Sequence, residues 1–92
     1  MWILQSDDAT FRLRPGAVKT VGRAPRADFI VDAALVSRLH CRLTAGDEHV
    51  EVVDLKSTNG TYVNGKRITK AHLATGDTLR VGRIELTVVQ QA

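Results

Sequence analysis

The sequence of 92 residues lacks several features that identify whole classes of protein. It contains one cysteine, Cys41, which excludes an intrachain disulfide and a multi-cysteine metal site, and we interpret Cys41 as a core residue. No apolar run approaches the roughly 20 residues that a bilayer-spanning helix needs. The first residues also lack the basic and apolar segments of a secretory signal. We therefore expect no membrane association, a reducing compartment and a cytoplasmic location.

Aromatic residues and helical patterns are also scarce. The four aromatic residues are Trp2, Phe11, Phe29 and Tyr62, and all fall in predicted strands where core packing accounts for them. Proteins that bind single-stranded nucleic acids stack bases on exposed aromatic rings. A small basic nucleic-acid-binding domain is therefore a minor alternative, kept open by the net charge of +3. The best helical candidate, residues 69–75, would form one or two turns.

What the sequence does contain is apolar alternation with a period of two. It is clear at Cys41 and Leu43, and again along Ile84, Leu86 and Val88, and it turns one face of each strand toward a core. Turn-forming residues rich in glycine and asparagine separate these segments. The pattern predicts an all-β chain folded as an antiparallel sandwich or barrel. The length predicts a single domain over residues 1–92.

Three polar segments interrupt the predicted strands, and a sandwich could bring them to one end. They are Gly22-Arg23, Ser37-Arg38-Leu39-His40 and Ser57-Thr58-Asn59-Gly60-Thr61. Together they offer guanidinium groups, hydroxyls, an amide and backbone N–H groups beside glycine. Such groups suit a doubly charged anion that is rich in oxygen.

The order of these three segments resembles the forkhead-associated (FHA) domain family. The similarity continues through Tyr62-Val63-Asn64-Gly65 and into Leu73, Gly76-Asp77, Leu79 and Gly82, so that it covers about residues 18–90. The resemblance implies an antiparallel sandwich of about eleven short strands with binding loops at one end. It implies recognition of phosphothreonine in a protein partner that a Ser/Thr kinase has modified, by a monomer that needs no cofactor and no metal.

The resemblance also assigns roles to individual residues. It implies that Arg23, Ser37, Arg38 and Thr58 bind the phosphate and that Asn59 binds the peptide backbone. It implies structural support from Gly22, His40, Gly60 and Asn64. Two interpretations stay open. Arg38 could meet phosphate with its side chain or only with its backbone N–H, and Asn59-Gly60 could be a hairpin turn as well as a peptide contact.

Two other functions compete with phosphopeptide binding. An enzyme built on Ser37 and His40 would need a third group to orient the histidine and donors for an oxyanion, and a spacing of three along an emerging strand supplies neither. A scaffold of the same fold that holds an unphosphorylated partner stays open, although the basic loop residues favour phosphate. The sequence therefore predicts a non-catalytic phosphothreonine-binding module that serves protein–protein interaction in signalling.

Overall fold

The computed structural model describes residues 1–91, which form eleven β-strands. The strands are β1 Trp2–Gln5, β2 Thr10–Leu13, β3 Val18–Gly22, β4 Phe29–Ile30, β5 Cys41–Ala45, β6 Val50–Asp54, β7 Thr61–Val63, β8 Lys66–Ile68, β9 Lys70–Leu73, β10 Thr78–Val81 and β11 Ile84–Gln90. Within residues 1–91 there is no helix of the length and apolar character that a membrane span requires. The prediction of an all-β chain with about eleven short strands is confirmed.

The strands form two sheets that enclose the core. One sheet has six strands in the order β2-β1-β11-β10-β7-β8, and the other has five in the order β4-β3-β5-β6-β9. The pairing of β3 with β4 is parallel, with Val21 opposite Phe29, and departs from the predicted antiparallel pattern. It forms because Asp28 brings the chain back beside β3: its N–H donates to Thr20 Oγ1 at 3.1 Å, and its Oδ2 accepts from the Thr20 N–H at 2.9 Å.

The core consists of the apolar side chains that alternate along the strands. Leu4, Leu79 and Leu86 from the six-stranded sheet are fully buried, as are Leu43 and Val52 from the five-stranded sheet. Full burial of such a side chain stabilises a fold by about 1.5–3 kcal/mol relative to exposure. The alternation that predicts strands therefore also identifies the residues that hold the two sheets together.

Two local predictions are wrong. Residues 69–75, the best helical candidate, contain β9, because pairing with β6 outweighs a weak helical pattern. Asn59-Gly60 is not a hairpin, since β6 and β7 on either side of it belong to different sheets. In contrast, Asn64 and Gly65 form the two-residue turn between β7 and β8, and their φ angles of 51° and 83° fit the type I′ geometry.

Cys41 lies in the core at the start of β5. Its side chain is fully buried. Burial, assisted by the nearby charge of Asp54, raises the pKa of the Cys41 thiol to about 12. Because the thiolate is the reactive form of cysteine, both the chemistry and the access of this thiol are suppressed in the folded state.

We expect a thiol reagent to modify Cys41 only through unfolding. At pH 8, a thiol with a pKa of about 12 is ionised in about one molecule in ten thousand. Labelling in native buffer should therefore be slower by orders of magnitude than labelling in denaturant, and it should accelerate in destabilised variants. Stopped-flow and manual labelling assays measure both rates. Native labelling as fast as labelling of the unfolded chain would contradict this placement of the thiol.

Candidate functional site

Three loops meet at one end of the sandwich. Val21 pairs with Cys41 and Cys41 pairs with Asp54, so the end of β3, the start of β5 and the end of β6 lie side by side. We name residues 23–28 L1, residues 31–40 L2 and residues 55–60 L3. The order of strands therefore brings together the three polar segments that the sequence separates.

Gly22 allows L2 to lie directly against the end of β3. A Cβ atom at this position would lie 2.0 Å from the carbonyl oxygen of Arg38, which is a backbone atom. Hydrogen bonds secure the close approach, since the Arg23 N–H donates to the Ser37 carbonyl at 2.9 Å and the Ala24 N–H donates to the Arg38 carbonyl at 3.1 Å. Any side chain at position 22 would push L2 away from β3.

His40 is fully buried and connects L2 with L3. Its Nδ1 accepts a hydrogen bond from the Ser37 N–H at 3.1 Å, and its Nε2 lies 2.8 Å from the carbonyl oxygen of Gly60. Because Nδ1 accepts from an N–H group and Nε2 faces a carbonyl oxygen, the ring must be the tautomer that carries its proton on Nε2. The backbone of His40 accepts from the Leu55 N–H at 3.0 Å and donates to the Val21 carbonyl at 2.7 Å. One residue thus supports β3, L2 and L3.

Asp54 organises L3 through its carboxylate. Oδ1 accepts from the hydroxyls of Ser57 at 2.5 Å and Thr61 at 2.7 Å. The Ser57 Oγ in turn accepts from the Gly60 N–H at 3.0 Å. Desolvation raises the pKa of Asp54, but these hydrogen bonds outweigh it and hold the pKa below its ordinary value. The sequence analysis missed Asp54. The hydroxyl residues Ser57 and Thr61, which follow it in the sequence, could have indicated a nearby acceptor.

A pocket of about 520 Å³ opens between the loops, and we call it the central pocket. Its lining contains all five residues predicted to contact a phosphopeptide, Arg23, Ser37, Arg38, Thr58 and Asn59, together with Leu35, Val36, Leu39 and Lys56. None of these lining residues is acidic. The structure therefore gathers the predicted binding residues in one place, and their individual roles toward a ligand stay predictions.

Arg23 is exposed, and one hydrogen bond orients its guanidinium group. Its Nε donates to the carbonyl of Val36 at 3.1 Å, and Val36 is itself buried against the core. The two Nη atoms carry four more N–H donors. Their planar arrangement matches two oxygens of a phosphate or carboxylate group.

Ser37 and Thr58 connect L2 to L3 across the central pocket. The Thr58 N–H donates to the Ser37 Oγ at 3.0 Å, so the Ser37 hydroxyl can point its own proton at a ligand. The Asn59 Nδ2 donates to the Leu35 carbonyl at 3.1 Å. The same amide has a second N–H and a carbonyl oxygen, which match the C=O and N–H groups of a peptide backbone.

Two residues of the central pocket have left-handed backbone conformations. The φ angles are 71° at Leu35 and 56° at Lys56, a region that is costly for residues other than glycine. The sequence analysis missed both residues. A lone leucine and a lone lysine are common in loops and gave no signal, yet Lys56 adds a positive charge to the pocket lining.

Gly60 and Asn64 occupy different surroundings. Gly60 has a φ of 87°, and a Cβ atom there would lie 2.7 Å from Nε of Arg67. The Asn64 side chain accepts from the Thr78 N–H at 2.9 Å and donates to the Asp77 carboxylate at 3.0 Å. Gly60 therefore shapes L3, whereas Asn64 supports the six-stranded sheet away from the central pocket.

The family of this chain follows from comparison with known proteins. A family model described as FHA domain matches residues 19–82. The chain belongs to the FHA domain family. A solved structure described as an analysis of phosphothreonine-dependent FHA domain interactions resembles this FHA domain with a TM-score of 0.90 and 35% sequence identity, covering 99% of this chain and 97% of that one.

Two curated proteins of Mycobacterium tuberculosis are similar to this chain. The chain is 41% identical over 86 residues to the ABC transporter ATP-binding/permease protein Rv1747 of Mycobacterium tuberculosis, covering 94% of the chain and 10% of the relative. It is 39% identical over 70 residues to the glycogen accumulation regulator GarA of the same species, covering 76% of the chain and 43% of the relative. The chain thus spans 10% of the length of the first relative and 43% of the length of the second.

We expect His40→Ala to destabilise the protein. The substitution leaves the Ser37 N–H and the Gly60 carbonyl without their buried partner, which should cost about 1–3 kcal/mol of unfolding free energy and about 4–8 °C of Tm for each kcal/mol. Thermal unfolding followed by circular dichroism measures the shift. The matched control is His72→Ala on β9, where the histidine is exposed and contacts the His49 ring and the Glu51 carboxylate at the surface, so that the change should stay within about 1 kcal/mol. Equal Tm values for both variants would refute the bracing role of His40.

We expect the stabilisation that Asp54 provides to disappear in acid. Its pKa in the folded protein lies below the ordinary value of 3.8, so its contribution is complete above that value and is lost as the pH falls through the folded pKa. The Tm difference between the wild type and Asp54→Asn should be constant above about pH 5 and should shrink below about pH 4. Hydrogen bonds from Thr20 and from the Ala74 N–H also lower the pKa values of Asp28 and Asp77, respectively. Both carboxylates are present in the wild type and in the variant, so their contributions cancel in the Tm difference. A Tm difference between the wild type and Asp54→Asn that widened in acid would contradict a lowered pKa of Asp54 in the folded protein.

Proposed function

We propose that this FHA domain binds a phosphothreonine-containing segment of a partner protein in the central pocket and has no catalytic activity. The observation that carries the proposal is the composition of the pocket. Arg23, Arg38 and Lys56 surround the same opening as the hydroxyls of Ser37 and Thr58, with no acidic residue in the lining. A phosphothreonine side chain brings a charge of about −1.5 to −2 and three strong acceptor oxygens. Donors and ligand are therefore complementary in both charge and hydrogen bonding.

Each lining group has a specific part in this proposal. The Nη atoms of Arg23 bind two phosphate oxygens, and the Ser37 and Thr58 hydroxyls donate to the phosphate from the facing loops. We assign Arg38 a contact through its side chain, which is exposed and brings a positive charge to the pocket lining. Asn59 binds the backbone of the ligand and so selects an extended peptide over free phosphate.

The surroundings of His40 argue against catalysis. A hydrolase would use a histidine to take the proton of Ser37, as a general base does. Here Nδ1 accepts the Ser37 backbone N–H, and Nε2 faces the Gly60 carbonyl. Both ring nitrogens are engaged in support of the loops, so the Ser37 hydroxyl acts as a hydrogen-bond donor to a bound group.

The likeness to a solved FHA domain studied for phosphothreonine-dependent interactions supports the choice of phosphothreonine. A phosphothreonine ligand implies a partner that is the substrate of a Ser/Thr kinase. A pocket that covers the threonine methyl group would favour phosphothreonine over phosphoserine by about 0.8 kcal/mol of transfer free energy.

We expect titration calorimetry to detect binding of a phosphothreonine peptide and to find hardly any binding of the same peptide without phosphate. Arg23→Ala should weaken binding by about 10- to 150-fold, because one charge-assisted interaction contributes about 1.5–3 kcal/mol. Its Tm should fall by less than that of His40→Ala, since the Arg23 side chain is exposed and loses one hydrogen bond, to the Val36 carbonyl.

The control is Arg12→Ala, which removes the same charge from the exposed face of β2, at the far edge of the six-stranded sheet from β7 and β8. It should bind like the wild type. Equal binding of phosphorylated and unphosphorylated peptides would support the scaffold alternative instead. Unchanged binding by Arg23→Ala would place the phosphate elsewhere.

A further inference from the structure

A second basic pocket lies beside the central pocket. It has a volume of about 600 Å³ and is lined by Arg23, Ala24, Pro25, Arg26 and Arg38. We call it the L1 pocket. It shares Arg23 and Arg38 with the central pocket, and none of the residues in its lining is acidic. Three of its five lining residues are therefore arginines, and Arg26 is the arginine that the central pocket does not share.

The L1 pocket is built on a fixed turn. The Ala27 N–H donates to the Ala24 carbonyl at 3.0 Å and closes a turn with Pro25 and Arg26 at its centre. Proline fixes φ at the first central position, which such turns favour. The Ala27 side chain is buried, and the Ala24 N–H donates to the Arg38 carbonyl at 3.1 Å. The turn thereby fixes the backbone of Arg26, which lines the same pocket as Arg38.

Asp28, the acidic residue closest to Arg26 in the sequence, forms hydrogen bonds with Thr20. Oδ2 of Asp28 accepts from the N–H of Thr20 at 2.9 Å and from its Oγ1 at 3.1 Å. These bonds direct the carboxylate toward β3, and it is not part of the L1 pocket lining. Arg26 therefore presents its charge to the solvent and to any ligand that lies across L1.

We propose that the L1 pocket binds a second anionic group of the same ligand, with Arg26 as the residue that selects for it. This inference rests on the proposed function. Because the two pockets share Arg23 and Arg38, the second group must lie close to the phosphothreonine, and an extended peptide advances only about 3.3 Å per residue. A carboxylate side chain and a second phosphate have the chemistry required, since both accept paired N–H donors from arginine.

The experiment compares peptides that differ at one position. The parent peptide carries one phosphothreonine flanked by alanine and glycine. One series places glutamate at each of the four positions on either side of the phosphothreonine, and a second series places another phosphothreonine there. We expect one or two positions to gain affinity, by about fivefold for glutamate and by about tenfold or more for phosphate. The gain should shrink as salt screens the charges.

Two variants identify the residue responsible. Arg26→Gln should bind the parent peptide as the wild type does and should lose the gain from the flanking anion. Arg12→Gln, which removes an equal charge from β2, should keep the gain. A gain that both variants reduce equally would reflect the net charge of the domain and would overturn the L1 pocket as a site.

The outcomes separate this inference from the proposed function. If the parent peptide binds and no flanking anion improves its affinity at any position, the L1 pocket has no such role, while the central pocket stands. If the parent peptide fails to bind at all, the proposed function fails first. A gain only with phosphate identifies a doubly phosphorylated ligand, and a gain with glutamate alone identifies an acidic one; either result supports the site.

Discussion

The pair of hydrogen bonds made by the buried His40 ring is the interaction on which the binding end of this FHA domain depends. L2 and L3 contain no regular secondary structure within the described residues, and buried backbone groups in such segments need partners from elsewhere. His40 supplies partners for Ser37 and Gly60 at once. Because His40 directly precedes β5, its hydrogen bonds fix the position of both loops relative to the core of the sandwich.

The support has a direct energetic consequence for binding. A loop that must be ordered by its ligand consumes binding free energy, whereas a loop held in place beforehand does not. The Asp54 carboxylate orders L3 through Ser57, and Gly22 allows L2 to press against β3. The left-handed conformations of Leu35 and Lys56 persist because these surrounding bonds fix them. The loop backbone that carries Arg23, Arg38 and Lys56 is consequently held in place before any ligand arrives.

The strands and the meeting of the three polar segments could be predicted from the sequence, and the family resemblance pointed to Gly22 and His40 as supports. The support that Asp54 gives to L3 could not be predicted. Apolar alternation reports which face of a strand is buried, and it is local. The dipeptides Asn59-Gly60 and Asn64-Gly65 look the same locally, yet only the second is a hairpin, because the partner of each strand is chosen by contacts distant in sequence. Asp54 and Lys56 were missed for a related reason: an aspartate or a lysine acquires a role only from neighbours that the fold provides.

At this end of the molecule, the residues that stabilise the loops differ from the residues that would select a ligand. The supporting groups, such as His40 and Ser57, are buried and bonded to backbone atoms, so that changing them disturbs the loops themselves. The groups that would face a ligand, such as Arg26 and Thr58, are exposed on loops that are already fixed. Substitutions at exposed positions usually change stability by no more than about 0.5 kcal/mol. The choice of ligand can therefore change through these side chains while the frame that positions them stays the same.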